Sequence, residues 1–248
     1  MIEVRGFTKA YGERVAVREL AFSVGAGEIV GLLGPNGAGK TTTLRSLAGI
    51  LRPSAGELRV GGFDVVREPL EAKRRLALVP DDPALFTSLS VWEHLVLTAE
   101  LYALAGWEER AGELLAGLEL SARRDDLADE LSRGMRQKLC VACALLHEPG
   151  ALLLDEPLTG LDPRGIRTLY AALRRQAAAG SAVVVSSHLL AQIEALCTRF
   201  LVLREGRLLF DGSKQEIAAR LPALRGDVSL EEVFFEATEG TAAGDGGR

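Results

Sequence analysis

One stretch of the chain combines the residue types and the spacing of a phosphate-binding loop. It matches the pattern G-x-x-x-x-G-K-[ST] and reads Gly34-Pro35-Asn36-Gly37-Ala38-Gly39-Lys40-Thr41. Glycines in such a loop let successive backbone N–H groups turn inward around an anion, while Lys40 brings a positive charge to the β- and γ-phosphates of a nucleotide. The hydroxyl of Thr41 is a candidate ligand for Mg²⁺, and Thr42 follows as a further nucleotide contact. We therefore predict a nucleotide site between a strand and a helix that begins near Lys40.

A pair of acids closes an apolar run later in the chain. Residues 151–154 precede Asp155 and Glu156, and such a run is typical of a strand buried in a parallel sheet. One carboxylate would hold the shell of a metal ion, and the next would orient or deprotonate an attacking water. His188 ends the following strand on the same side of the sheet, where a donor could reach the γ-phosphate. Taken alone, His188 is better explained as a loop histidine with a local hydrogen bond.

The elements that must position these groups begin with three predicted strands. They run from Ile2 to Thr8, from Val15 to Val24 and from Glu28 to Leu33, and the short turns between them suggest antiparallel pairing. Tyr11 lies beside the glycine of the first turn. Its ring could stack on a nucleotide base or be an ordinary turn aromatic.

Residues 87 to about 146 change to apolar residues at helical spacing, which predicts a helical insertion into an α/β domain. A capping box begins at Ser90 and opens the first helix. Trp107 to Leu118 supplies a second helix, Arg123 to Glu130 a short charged one, and Ser132 precedes the last. We expect His94 on the surface of the first of these helices and His147 at a helix C-terminus.

The alternation of strands and helices then returns. Asp162 as N-cap and Gly180 as stop bracket a long helix. The dipeptide Glu205-Gly206 predicts a hairpin. Capping boxes at Ser213 and Ser229 each precede a short helix.

Composition and charge restrict the classes of function. The 248 residues are 48% hydrophobic, and 29 basic against 34 acidic residues give a formal net charge of −5. The core is therefore ample, and no electrostatic footprint for nucleic acid is visible. No apolar stretch approaches the roughly 20 residues that span a bilayer, and no signal peptide core begins the chain, so we expect a cytosolic protein. We interpret Cys140, Cys143 and Cys197 as buried small apolar residues rather than as metal or redox ligands.

The order of these motifs resembles that of the nucleotide-binding subunit of an ATP-binding cassette (ABC) transporter. Leu131-Ser132-Arg133-Gly134-Met135 stands where the family has its Leu-Ser-Gly-Gly-Gln signature, and Gly160-Leu161-Asp162 follows the acid pair. The resemblance spans residues 1 to about 238 and implies one ABC-type ATP-binding domain. Its fold would be α/β, a P-loop NTPase core with a mixed sheet, an N-terminal antiparallel β subdomain and the inserted helical subdomain. Residues 239–248 would form a disordered tail.

The resemblance also implies roles for individual residues, with ATP and Mg²⁺ as cofactors. Tyr11 would stack on adenine, Glu156 would be the general base, His188 would sense the γ-phosphate, and Asp162 would signal between protomers at the nucleotide. We accordingly predict Glu156, His188 and Lys40 as catalytic residues. The predicted metal ligands are Thr41, Asp81 and Asp155.

The signature has a physical logic of its own. Ser132 and the N–H of Gly134 lie at a predicted helix start, where hydroxyl, amides and helix dipole form an anion site. In the family this site serves the nucleotide of a second cassette, so a homodimer or heterodimer would sandwich two ATP molecules. Three residues depart from the family pattern, among them Met135, which replaces the signature glutamine. Arg133 replaces a signature glycine, and Asp81 occupies the position that usually carries a glutamine, where a carboxylate can hold Mg²⁺ but repels the γ-phosphate when metal is absent.

The run from Ser132 to Gln137 and the ending from Ser229 to Phe235 resemble cassettes of bacterial exporters. The implied protein is a peripheral ATPase on the inner face of the cell membrane, coupled to a separate integral membrane permease. Three alternatives stay open: a soluble cassette ATPase acting on nucleic acid or ribosomes, an import-type cassette, and a sensor that binds ATP but barely turns it over. The acidic balance argues against nucleic acid as a partner.

Overall fold

The computed structural model describes residues 1–188, 190–221 and 228–239, which form two β-sheets and a helical layer. In these residues the strands are β1 (Ile2–Tyr11), β2 (Arg14–Val24), β3 (Ile29–Leu33), β4 (Ala55–Val60), β5 (Phe63–Asp64), β6 (Leu76–Val79), β7 (Ala151–Asp155), β8 (Ala182–Ser186), β9 (Arg199–Arg204) and β10 (Arg207–Gly212). The α-helices are α1 (Lys40–Leu47), α2 (Pro69–Arg74), α3 (Val91–Tyr102), α4 (Trp107–Gly117), α5 (Arg133–Leu146), α6 (Pro163–Ala178), α7 (Leu190–Leu196), α8 (Lys214–Ala219) and α9 (Leu230–Glu239). No helix in these ranges is both long enough and apolar enough to cross a bilayer.

The two sheets differ in direction. One is antiparallel with strand order β2-β1-β4-β5, and the other is mixed with order β10-β9-β3-β8-β7-β6. The prediction of antiparallel pairing is right for β1 and β2 but wrong for β3, which lies parallel between β8 and β9. Four of the five residues of β3 are buried, because a central strand has both faces covered and cannot serve as the third strand of a half-exposed hairpin.

The mixed sheet separates two hydrophobic cores. Leu152 and Leu154 of β7 pack into a core shared with the helical insertion, whereas Leu153 packs with the antiparallel sheet and α1. All five residues of β7 are buried. The continuous apolar run of this strand therefore follows from having a layer on each face.

The helical insertion agrees with its prediction at α3, α4 and α5, but not between them. The predicted helix from Arg123 to Glu130 is replaced by two 3₁₀ turns, Ser121–Arg123 and Ala128–Glu130. The backbone between these turns pairs with α3 instead, since the carbonyls of Arg124 and Asp126 accept hydrogen bonds from the N–H groups of Trp92 and Val91 at 2.9 and 3.0 Å. Those are first-turn N–H groups of α3, which have no partner inside their own helix.

His94 also departs from its prediction, because it lies inside rather than on the surface of α3. Its side chain is only 4% exposed, and both ring nitrogens are hydrogen-bonded. Nδ1 lies 2.7 Å from the carbonyl of Ser90, and Nε2 accepts from the N–H of Phe86 at 3.0 Å. The histidine thus ties the start of α3 to the loop before it.

The C-terminal part contains the predicted capping box at Ser229, which begins α9. Leu230 and Val233 of this helix are buried. Glu239, predicted to start a disordered tail, is the last residue of α9, and residues 240–248 lie outside the described residues.

The three cysteines are free thiols, and burial raises the pKa of Cys140 to about 12 and of Cys143 to about 11.

Candidate nucleotide-binding site

The predicted phosphate loop connects β3 to α1, and its glycines are set by close backbone packing. A Cβ on Gly34 would lie 2.6 Å from the carbonyl oxygen of Leu203, so only glycine fits beneath β9. Gly39 has φ +102° and a Cβ there would lie 2.9 Å from the carbonyl of Ala16 in β2. The loop is therefore held between two strands from distant parts of the sequence.

Lys40 is the first residue of α1 and is almost fully buried. Its Nζ donates to the carbonyl oxygens of Gly34 at 2.7 Å and Pro35 at 3.4 Å. Burial lowers the pKa of Lys40, and this effect is opposed by the nearby carboxylates Glu156 and Asp155. The loop thus fixes the ammonium group at the N-terminus of α1, where the helix dipole also favours an anion.

The acid pair lies at the end of β7, beside the end of β8. Asp155 is buried, pairs in register with Ser186 and accepts a hydrogen bond from its hydroxyl. Glu156 has φ +49°, so the chain turns sharply after the strand. The Oε2 atom of Glu156 accepts from both the N–H of His188, at 3.1 Å, and its Nδ1, at 2.8 Å. The structure therefore brings two predicted catalytic residues, Glu156 and His188, into direct contact.

A cleft of about 420 Å³ opens above the loop. Residues 36–42 line it together with Tyr11, Arg14, Asp81 and Glu156. Tyr11 is 48% exposed at the rim, and so has a face available for stacking. Arg14 was not predicted as a nucleotide contact. Its position in the sequence could have indicated one, because it is a cation three residues after Tyr11 and directly follows the same turn.

Gly34 and Pro35 of the phosphate loop are not among the residues that line this cleft, and neither are three predicted nucleotide contacts outside the loop, Ser132, Gly134 and Asp162. Ser132 is the N-cap of α5 and accepts a hydrogen bond from the N–H of Met135 at 3.3 Å. Gly134 packs so closely on the loop after β7 that a Cβ there would lie 2.9 Å from the carbonyl of Gly160. Asp162 caps α6 by accepting from the N–H of Gly165 at 2.7 Å. These side chains and backbone groups could meet a nucleotide only on another surface.

The predicted metal ligands are oxygen donors at the cleft and its edge. Thr41 and Asp81 line the cleft, whereas Asp155 is buried at the end of β7 and accepts a hydrogen bond from Ser186. Among the described residues, no three His, Cys, Asp or Glu side chains form a group that could hold a metal ion.

The chain is similar to known ATP-binding proteins. The profile of the family described as "ABC transporter" matches residues 17–159. The chain is 33% identical over 223 residues to the linearmycin resistance ATP-binding protein LnrL of Bacillus subtilis (strain 168), which covers 89% of this chain and 72% of that one. It is 38% identical over 220 residues to the Nod factor export ATP-binding protein I of Paraburkholderia xenovorans (strain LB400), covering 88% and 72%.

A solved structure of an ATP-binding subunit of an ABC transporter superposes with a TM-score of 0.90 and 34% sequence identity, over 96% of this chain and 99% of that one. The predicted fold class is thereby confirmed. The chain belongs to the ABC transporter family, in which it is an ATP-binding subunit and an ATPase.

Proposed function

We propose that this chain powers export through a separate membrane permease, by binding and hydrolysing MgATP as one of two paired cassettes at the inner face of the membrane. The observation that carries the proposal is the convergence of Lys40, Thr41, Asp81 and Glu156 on one cleft. The direction of transport is supported by the relatives, one of which is named for export and the other for resistance.

The phosphates of ATP would be held by the backbone N–H groups of residues 36–40, by the ammonium of Lys40 and by the N-terminus of α1. Thr41, Asp81 and Asp155 are the residues that would hold Mg²⁺, which when bound neutralises charge on the β- and γ-phosphate oxygens. Tyr11 at the rim would stack on the adenine ring.

Glu156 is proposed as the general base for the attacking water. Both hydrogen bonds from His188 end on Oε2, which leaves Oε1 as the oxygen that can accept a proton from water. The water oxygen would bond to the γ-phosphorus, its proton would pass to Oε1, and ADP would leave. His188 holds the carboxylate in position, and its second ring nitrogen can donate to the γ-phosphate when the ring is protonated.

The proposed pairing of two cassettes is supported by Ser132 and Gly134, which do not line the cleft. Ser132 and the N–H of Gly134 stand at the N-terminus of α5, which favours an anion. In a pair of cassettes this surface would bind the γ-phosphate held by the partner's phosphate loop. A single cassette would then hydrolyse ATP slowly, because half of the γ-phosphate ligands would be missing.

An apolar groove of about 640 Å³ between the core and the helical insertion is the proposed docking surface for the permease. Phe86 and Leu101 line it and are 61% and 74% exposed. The loop from Pro80 to Phe86 contributes to this groove, while Asp81 of the same loop lines the nucleotide cleft. A permease segment in the groove would therefore touch the loop that also carries Asp81 at the nucleotide cleft, which supports a permease as the occupant.

Co-purification from native membranes tests the proposal. The chain is captured in mild detergent, and its partners are identified by mass spectrometry. We expect a stoichiometric polytopic membrane protein, and we expect Leu101→Glu to lose it while still binding ATP. Recovery of soluble partners alone, under conditions that preserve other membrane complexes, would overturn the transporter proposal in favour of a soluble ATPase.

A further inference from the structure

Two of the three residues that depart from the family pattern, Asp81 and Arg133, lie next to each other. Asp81 and Arg133 are 52 residues apart in sequence, yet Nη2 of Arg133 lies 3.4 Å from Oδ1 of Asp81. Both side chains are about half exposed, at 53% and 49%. Asp81 puts a carboxylate where the family has the amide of a glutamine, and Arg133 puts a cation where the family has a glycine. The two side chains thus face each other.

The position of Arg133 explains how it reaches the cleft. It is the first residue of α5, and its aliphatic stem runs over the loop after β7: a Cβ on Gly160 would lie 3.2 Å from Cδ of Arg133. Gly160 has φ +80°, which a residue with a side chain rarely adopts. The bare backbone of Gly160 therefore leaves room for Arg133 to reach Asp81.

The charge balance of the cleft gives this contact a consequence. Asp81, Asp155 and Glu156 bring three carboxylates to the region where the triphosphate would bind, against the ammonium of Lys40 and the guanidinium of Arg14. An unpaired carboxylate at Asp81 repels a metal-free triphosphate. Paired with Arg133, the same carboxylate repels it less, but a metal ion must then displace the guanidinium to reach Oδ1.

We infer that Asp81 is shared between two cations: Arg133 holds it in the metal-free protein, and Mg²⁺ takes it over when MgATP binds. This inference rests on the proposed function, because it takes Asp81 as a metal ligand. Arg133 is then a positioning residue with two effects of opposite sign. It strengthens binding of metal-free nucleotide, and it raises the Mg²⁺ concentration needed for the metal-bound complex.

The test uses the purified full-length chain and a fluorescent ATP analogue, with binding rather than turnover as the readout. Dissociation constants are measured in EDTA, and the free Mg²⁺ concentration for half of the metal-dependent signal change is measured by titration. We expect Arg133→Ala to weaken binding in EDTA by about two- to fivefold and to lower the half-saturating Mg²⁺ by a similar factor, the size expected of a half-exposed ion pair. Asp82→Asn, which removes a neighbouring exposed carboxylate, is the matched control and should change neither value.

The background of Asp81→Asn isolates the pair. In that background Arg133→Ala should have no effect on either measurement, because there is no carboxylate left to share. The inference would be overturned if Arg133→Ala weakened nucleotide binding by a similar factor in EDTA and in Mg²⁺. A folding defect or a general loss of positive charge weakens binding in both conditions, whereas the shared carboxylate predicts two effects of opposite sign. If Asp81→Asn changes the Mg²⁺ dependence but Arg133→Ala does not, the sharing is refuted while Asp81 stays a metal ligand. If Asp81→Asn leaves the Mg²⁺ dependence unchanged, the metal role of Asp81 in the proposed function is refuted instead.

Discussion

The substitution Glu156→Gln separates nucleotide binding from hydrolysis in this site. The carbonyl oxygen of a glutamine can still accept from the N–H and Nδ1 of His188, so the turn after β7 should keep its conformation. The amide cannot take a proton from water. Binding should therefore survive, while activation of the attacking water is lost.

The expected changes in binding and turnover depend on two contributions of Glu156, its hydrogen bonds with His188 and general base catalysis. Exchanging a charged for a neutral acceptor weakens the bonds from His188 by about 1 kcal/mol, which affects local order but not the phosphate loop. Loss of general base catalysis typically costs a factor of about 10² to 10⁴ in rate, or about 2.7 to 5.4 kcal/mol in the barrier. Turnover should therefore fall by at least about a hundredfold, while the dissociation constant for MgATP changes by less than about fivefold.

The assay combines phosphate release at saturating MgATP with nucleotide binding and molar mass by light scattering. We expect the Glu156→Gln protein to bind MgATP, to release little phosphate and to accumulate as a dimer, because the nucleotide that closes the pair is not consumed. Glu108→Gln removes the same charge from an exposed position at the start of α4 and should behave as the unmodified protein. Turnover above about one tenth of the unmodified rate would refute the assignment of Glu156 as base, and a monomer with MgATP bound would refute the sandwich.

Three further substitutions test other parts of the structure. Lys40→Ala should abolish detectable ATP binding, since it removes the ammonium held at the loop; unchanged affinity in an equilibrium binding assay would contradict the phosphate-loop assignment. Asp81→Gln should reach full activity at lower free Mg²⁺, and an equal Mg²⁺ dependence of phosphate release would refute the repulsion argument. Leu153→Ala, at a fully buried position of β7, should lower the free energy of unfolding by about 2 to 5 kcal/mol in a denaturant titration.

Local patterns predicted most of the fold correctly. Features that depend on a few consecutive residues lie in the structure where the sequence indicated. They are the phosphate loop, the buried run of β7 and the N-caps at Ser90, Ser132 and Asp162. Their catalytic and binding roles remain predictions. Helices α2 and α7 were missed because six or seven residues are too short to establish a helical period.

Features that depend on distant residues could not be predicted in this way. The segment from Arg123 to Glu130 has a helical composition, but its carbonyls are used to complete the first turn of α3, more than thirty residues earlier. The contact of Asp81 with Arg133 likewise joins the loop after β6 to the first residue of α5, and their separation is set by the packing of β6 against β7 and of α5 against β6. The sequence shows each residue as an isolated departure from a pattern, and only the fold shows that they face each other.

His94 shows how a misjudged residue can become part of the functional argument. Because its Nε2 accepts the N–H of Phe86, the ring proton lies on Nδ1 and is donated to the carbonyl of Ser90. The residue therefore fixes the loop after β6 to the first turn of α3 from inside the protein. That loop carries Asp81 at the nucleotide cleft and Phe86 at the proposed docking groove, so His94 holds the groove end of the loop against the start of α3.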